Sequence, residues 1–293
     1  MAPRSRPSVH RAVQRGFTLV EAIMVIVILG ILGAIVAVFI QAPVQGYADT
    51  VARAEATDEA DLALRRMARD IRLALPNSVR PVGNGTGIEF LLTRTGGRYL
   101  SDEDEVADGD VLSFDNPLDL SFSVVGRLTQ PILPGDFIAV FNMGVEGADA
   151  WANPSPNMAR VAADAPPIPA GTQHPVVRLA SNPFARAEPM PSPDQRFQVV
   201  TGPVTYQCEA DNGGFVLRRY SHYPINAVAA LRPANARVAT LAARVADCNN
   251  VFDTANVQAG RAGLVILSLA LRTRNDPNTV VRLVHQVQVD NTP

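Results

Sequence analysis

The sequence predicts an α+β protein: one long N-terminal helix, its first half crossing a membrane, packed on an antiparallel β-sheet head. Three observations carry this reading. An apolar run from Phe17 to Ile40, broken by a single charge at Glu21, follows a stretch whose only charges are arginines. A helical apolar spacing resumes beyond that run. From residue 87 onward the pattern changes to short β-branched and aromatic segments bounded by Gly, Pro, Asn or Asp. A row of strands after one helix implies a helix laid on one face of a sheet.

The chain has 293 residues, enough for a sizeable core in one large domain or two small ones. Residues 1–16 hold Arg4, Arg6, Arg11 and Arg15 and no acid, which leaves 22 Arg against 28 Asp and Glu in the remainder. That remainder is mildly acidic and has no basic stripe, which excludes a nucleic-acid binder.

The run from Phe17 to Ile40 is about 36 Å long as a helix, enough to span a hydrocarbon core of about 30 Å with some tilt. The arginines before it place residue 1 in the cytoplasm and the later residues across the membrane. A secretory signal would end in small residues spaced A-x-A. The nearest such triplet, Ala52-Arg53-Ala54, lies well past the apolar part, so cleavage after the run is not expected. Glu21 is then the anomaly, because a charge beside a membrane span is expensive.

Pro43 removes one backbone bond and is expected to kink the helix, not end it, since the pattern resumes. Ala60, Leu64, Met67, Ala68, Ile71 and Leu75 form one apolar face, with Arg65, Arg66, Arg69 and Arg72 opposite and Asp61 one turn before Arg65. Leu75-Pro76 is the expected stop, giving a helix of about 59 residues and about 88 Å. Strands are expected at 87–94, 110–114, 136–142, 196–208 and 214–223, with a terminal hairpin of 263–274 and 279–289. The segment 143–195 holds 10 of the 23 prolines and little pattern, so it reads as a loop, a linker or a partly disordered insertion.

Cys208 and Cys248 are the two cysteines. If the residues past the span lie outside the cytoplasm, they pair; otherwise they are two separate buried thiols. The four histidines (His10, His174, His222, His285) lack metal or catalytic spacing. "GNGTGIE" leads into a strand, so its glycines read as a turn and not a phosphate cradle. In "SDEDEVADGD", Asp102, Asp104, Asp108 and Asp110 offer oxygen ligands for calcium, although the spacing is not that of an EF-hand and such acidic turns are ordinarily solvated.

"RGFTLVEAIMVIVILGILGAI" resembles the N-terminal signal of type IV pilins and type II secretion pseudopilins, position by position through Gly16, Phe17, Thr18, Leu19, Val20 and Glu21. The resemblance implies a pilin-like fold and no enzymatic activity. It implies a leader over 1–16, cut by prepilin peptidase between Gly16 and Phe17, and methylation of the new Phe17 amine. A transmembrane segment over 17–42, a periplasmic half of the helix over 43–76 and a periplasmic head over 77–293 would follow, with the Pro-rich loop at about 143–195. The protein would sit in the bacterial inner membrane with a single pass, and its partners would be other minor and major pilins and the inner-membrane assembly platform. Glu21 would meet the N-terminal amine of a neighbouring subunit during docking. The alternatives are a carboxylate at the membrane interface or one paired with its own amine.

"GDFIAVFNMGVEGADAW", "VTYQCEADNGGFVLRRYSHYPI" and "VVRLVHQVQVDNTP" are similar to segments of minor pilins of mannose-sensitive haemagglutinin (MSHA) pili. This implies a subunit that initiates, caps or assembles such a pilus. A J-type minor pseudopilin of a type II secretion system shares the same plan and is the alternative. A membrane-anchored periplasmic enzyme and a tip adhesin are further readings, separated from the first by the mature N-terminus and by ligand binding of the head.

Overall fold

The computed structural model describes residues 16–104, 109–255 and 262–292. Residues 1–15 of the leader therefore lie outside the described residues. The chain divides at Val51/Ala52 into two compact units. Helix α1, Leu19–Arg72, contributes to both and keeps Pro43 inside it.

In the first unit the large apolar side chains of α1 face outward: Ile23, Ile26, Leu29, Leu32 and Ile35 are all exposed. In the second unit the expected face is buried, from Ala60 through Leu64, Met67, Ala68 and Ile71 to Leu75, and Ala56 one turn earlier is buried with it. The helix stops at Arg72, three residues short of the expected Leu75. Sheet pairing takes over first: the Leu75 N–H donates to the Leu91 carbonyl at 2.7 Å, the Thr93 N–H donates to Leu73 at 2.8 Å, and Ala74 bridges Leu92. Arg69 and Arg72 in the last turn complement the negative end of the helix dipole.

Among the described residues twelve strands follow: β1 (Arg80–Val82), β2 (Gly87–Tyr99), β3 (Ser121–Val125), β4 (Phe137–Val140), β5 (Met158–Arg160), β6 (Val176–Arg178), β7 (Arg196–Asp211), β8 (Gly214–Ser221), β9 (Arg237–Val245), β10 (Phe252–Asp253), β11 (Ala262–Arg272) and β12 (Val280–Asp290). Every pairing is antiparallel, in the order β10-β11-β9-β8-β7-β2-β3-β6, with β12 on β11, β1 on β2, and β4 joining β5 to β7. The first four residues of "GNGTGIE", 83–86, form the turn from β1 into β2 and the rest begin β2, while Asn212-Gly213 turns β7 into β8 with both residues at positive φ. The terminal hairpin is β11–β12.

Two expectations are corrected. Residues 110–114 are not a strand; they pass beside β2 and β3 through single bonds, Leu112 N–H to Leu100 O and Ser123 N–H to Asp110 O. The Pro-rich segment 143–195 is not a bare loop. It contains β5 and β6 and buries Trp151, Val161, Val177 and Phe184. Its strands are three residues each, and Pro156 and Pro175, which lack an N–H for a ladder, lie just before them.

The head has two main cores. One lies between α1 and the β7–β8–β11–β12 region, built from Met67, Ile71, Phe90, Tyr206, Leu217 and Leu267 among others. The second gathers Phe122, Ile132, Ile138, Val177 and Phe197 under the 99–199 region. Strand β7 serves both: Phe197 and Val199 enter the second core, Val204, Tyr206 and Cys208 the first.

A disulfide joins Cys208 on β7 to Cys248 after β9, a sequence separation of 40. A loop of this length stabilises by about 4 kcal/mol on the chain-entropy account. Replacing both cysteines by serine is expected to lower unfolding free energy by about that amount, read from the denaturant midpoint of the purified full chain. An unchanged midpoint would show that the bond contributes no stability.

Candidate assembly site

The start of α1 is built by its own sequence. Thr18 precedes the first helical residue, and its Oγ1 accepts the Glu21 N–H at 3.3 Å. The Thr18 carbonyl accepts the Ala22 N–H at 3.1 Å. This is an N-cap, with Thr18 and Glu21 at the Thr-x-x-Glu spacing that starts helices. Glu21 thereby occupies the first turn, where unsatisfied N–H groups and the helix dipole favour an anion.

Phe17, one residue before the cap, is 83% exposed, and Gly16 is exposed too. A Cβ placed on Gly16 meets nothing within 4 Å among the described residues, and its φ lies outside the left-handed region. The fold therefore has no need of glycine there. Behind the cap, Leu19–Ala37 has a mean hydropathy of 2.9, is long enough to cross a membrane, and has none of its residues buried.

Residues 11–37 match the family model described as the prokaryotic N-terminal methylation motif. The chain carries a type IV pilin signal. The signal indicates a type IV pilin-like or pseudopilin precursor, and it implies processing by prepilin peptidase and assembly with pilin partners. Together with the apolar helix it fits a membrane-anchored protein. No curated protein and no solved structure matches the chain.

The remaining candidates of the sequence fall elsewhere. Of the calcium ligands, Asp108 lies outside the described residues. The Asp104 carboxylate is turned toward its own chain: it accepts from the Ser101 N–H at 3.0 Å and from Arg98. Those bonds, the Ser101 N–H foremost, hold its carboxyl below the usual carboxylate range. Asp110 is fixed through its backbone N–H to Ser123. Among the described residues no three His, Cys, Asp or Glu side chains converge on a metal-sized site. His174 accepts the Gly126 N–H, His222 meets Ser221, and His285 lies on β12.

Sequence reading placed Thr18 in the motif but missed its role as the helix cap, although the Thr-x-x-Glu spacing was visible. It also missed three buried carboxylates that hold the head together. Asp70 on the inner face of α1 is 5% exposed, accepts the Tyr206 hydroxyl at 2.8 Å and pairs with Arg219 Nε at 2.9 Å. Glu89 accepts the Tyr223 hydroxyl at 2.8 Å and pairs with Arg80, whose guanidinium lies 3.6 Å over the Trp151 ring. Glu209 meets Arg218, Arg232 and Tyr220. Burial raises the Glu209 pKa, but the Arg232 and Tyr220 hydrogen bonds outweigh it and hold the carboxyl below its ordinary range.

Proposed function

We propose that the chain is a non-enzymatic minor pilin with a pilin-like fold, cut between Gly16 and Phe17, methylated on Phe17, and used to initiate, cap or assemble a type IV pilus of the MSHA type, in the position of MshO. The observation that carries this is the methylation motif running directly into a capped, fully exposed apolar helix. An apolar helix freed of its basic leader can leave lipid for a bundle of like helices, and small residues at Gly30, Ala34 and Ala37 permit close approach. The β-rich head would stand in the periplasm, as its disulfide suits an oxidising compartment.

Glu21 supplies the register in this reading. An unpaired carboxylate near lipid costs a few kcal/mol, and the amine of an adjoining subunit's first residue removes that cost only in the correct stagger. Glu21→Gln keeps the shape and leaves the backbone N–H that Thr18 caps. The variant is expected to be processed normally and to keep the head's melting temperature, while its incorporation into filaments falls at least about tenfold, the effect of losing about 1.4 kcal/mol or more of docking free energy. Incorporation is scored by immunogold counts and a blot of sheared filaments, beside N-terminal mass spectrometry for N-methyl-Phe17. Wild-type incorporation of Glu21→Gln would remove the charge-docking account. An intact Met1, or a first residue beyond 40, would remove the pilin reading as a whole.

A further inference from the structure

The β12 edge of the sheet is open. Strand β12 pairs with β11 over 11 consecutive residues without a bulge, and no strand pairs with its other side among the described residues. The hydrogen-bond parity identifies which groups face outward. The Thr273 N–H donates to the Thr279 carbonyl at 3.0 Å, so 273/279 is a bonded pair of the hairpin. Alternation then points Val281, Leu283, His285, Val287 and Val289 at β11. The other edge of β11 agrees: Ser268 donates to Val251, and Ala270 accepts from Ala246. The N–H and C=O groups of Val280, Arg282, Val284, Gln286 and Gln288 are therefore left at the free edge, where no other backbone group of the described residues bonds them.

Edges of this length are normally blunted by proline, a bulge, lysine or a covering loop. Within β12 there is no proline and no bulge; its mid-strand charge is Arg282, which stands between Val280 and Val284 on the exposed face and lies 3.9 Å from Asp247. Beside the edge, a groove of about 440 Å³ runs between β12 and α1, lined by Arg65, Ala68, Arg69, Arg72, Leu73 and His285. Arg65 is paired with Asp61, whereas Arg69 and Arg72 have no carboxylate partner among the described residues. The opposite face of the sheet edge carries exposed Val280 and Val284.

We propose that β12 is a docking edge for an extended strand of a partner protein, acidic at alternate positions and β-branched at the others. The added strand would bond to the outward groups of residues 280–288. Its carboxylates, on the α1 side, would enter the groove and meet Arg69 and Arg72, and its β-branched residues would continue the Val280/Val284 face. A second copy of β12 does not fit this role. Its α1-side residues are Val281, Leu283, His285, Val287 and Val289, so it brings no carboxylate to the arginines. The proposal does not rest on a filament role, and its test needs no filament.

The test uses the purified full chain in detergent micelles and a synthetic peptide of β12's length, 11 residues, alternating Glu and Val. Hydrogen exchange is followed residue by residue, with an Arg/Val peptide as control. The expected result is protection of the outward N–H groups of 280–288 by the Glu/Val peptide and none by the Arg/Val peptide. Arg69→Glu combined with Arg72→Glu should weaken the acidic peptide by at least about tenfold, the scale of losing one or two charge-assisted contacts, and reverse the preference. Val284→Pro removes an outward donor while sparing the β11 ladder and should abolish the protection at unchanged melting temperature. Should that variant melt early, Gln286→Pro serves the same purpose. Protection confined to residues 65–73, equal protection by both peptides, or none would each overturn the proposal, as would self-association through β12 that the acidic peptide fails to displace.

Discussion

Gly16→Val leaves the full-length precursor in the membrane, with Arg15 still attached and no N-methyl-Phe17. The argument combines the fold's indifference with the motif's demand. A Cβ at Gly16 would touch nothing within 4 Å among the described residues, and the backbone there needs no left-handed φ. A side chain at this position therefore disturbs neither the Thr18 cap nor the head. The whole effect should fall on the peptidase, which meets a bare peptide bond in the natural chain. Intact mass of the membrane fraction reads the result directly: the leader is retained in essentially all of the variant, while the melting temperature of the head stays at the wild-type value. Normal processing of Gly16→Val would show that cleavage is selected by other positions. An early-melting head would show instead that Gly16 has a structural role.

Asp70→Ala is expected to be the most destabilising single change in the helix–sheet interface. Asp70 is buried and takes both the Tyr206 hydroxyl and Arg219 Nε, with Arg66 Nε at 3.4 Å. Arg219 has only 14% of its side chain exposed. Removing the carboxylate leaves that guanidinium and a phenol facing an apolar gap, a loss of about 3–5 kcal/mol. For a domain of this size that corresponds to a fall of about 6–20 °C in Tm. Asp61→Ala is the counterpart on the outer face of the same helix. Its ion pair with Arg65 is open to solvent at 43% and 71% exposure, so its loss should be within about 1 kcal/mol. Thermal unfolding of both variants in the full chain checks the contrast. Equal shifts would mean that the buried network contributes no more than a surface pair.

The sequence reading placed the apolar span, the buried face of the second helical half and the terminal hairpin correctly, because each rests on a local period. Met67 and Ile71 face inward as their spacing requires, and 263–274 with 279–289 closes around Asp276 and Asn278. What it missed depends on contacts distant in sequence. The helix ends at Arg72 because β2 captures residues 73–75, and nothing local in Leu73-Ala74-Leu75 announces that. Strand β9 reads Arg-Val-Ala-Thr-Leu-Ala-Ala-Arg-Val, alanine-rich and weak in β-propensity; it is a strand because β8 lies beside it. Asp70 was open to reading: it sits three residues after Met67 and four before Ala74, on the apolar face. A carboxylate there signals a distant arginine, though only the fold reveals Arg219. At the assembly site, Gly16, Phe17 and Glu21 stand out as a contiguous motif, whereas the cap role of Thr18 needed the helix start to be located.

The bond between Cys208 and Cys248 also limits how far the head yields to force. A load entering through α1 and leaving through β12 must pass along the chain from residue 72 to residue 280, and this path crosses the disulfide. The 40-residue separation of the two cysteines is short-circuited. At about 3.3–3.6 Å per extended residue it represents about 130–145 Å of contour that pulling cannot release. That withheld length includes all of β8 and β9, which lie between the two cysteines. An oxidised head would therefore come apart under tension into a shorter tether than a reduced one, with its middle strands still looped together.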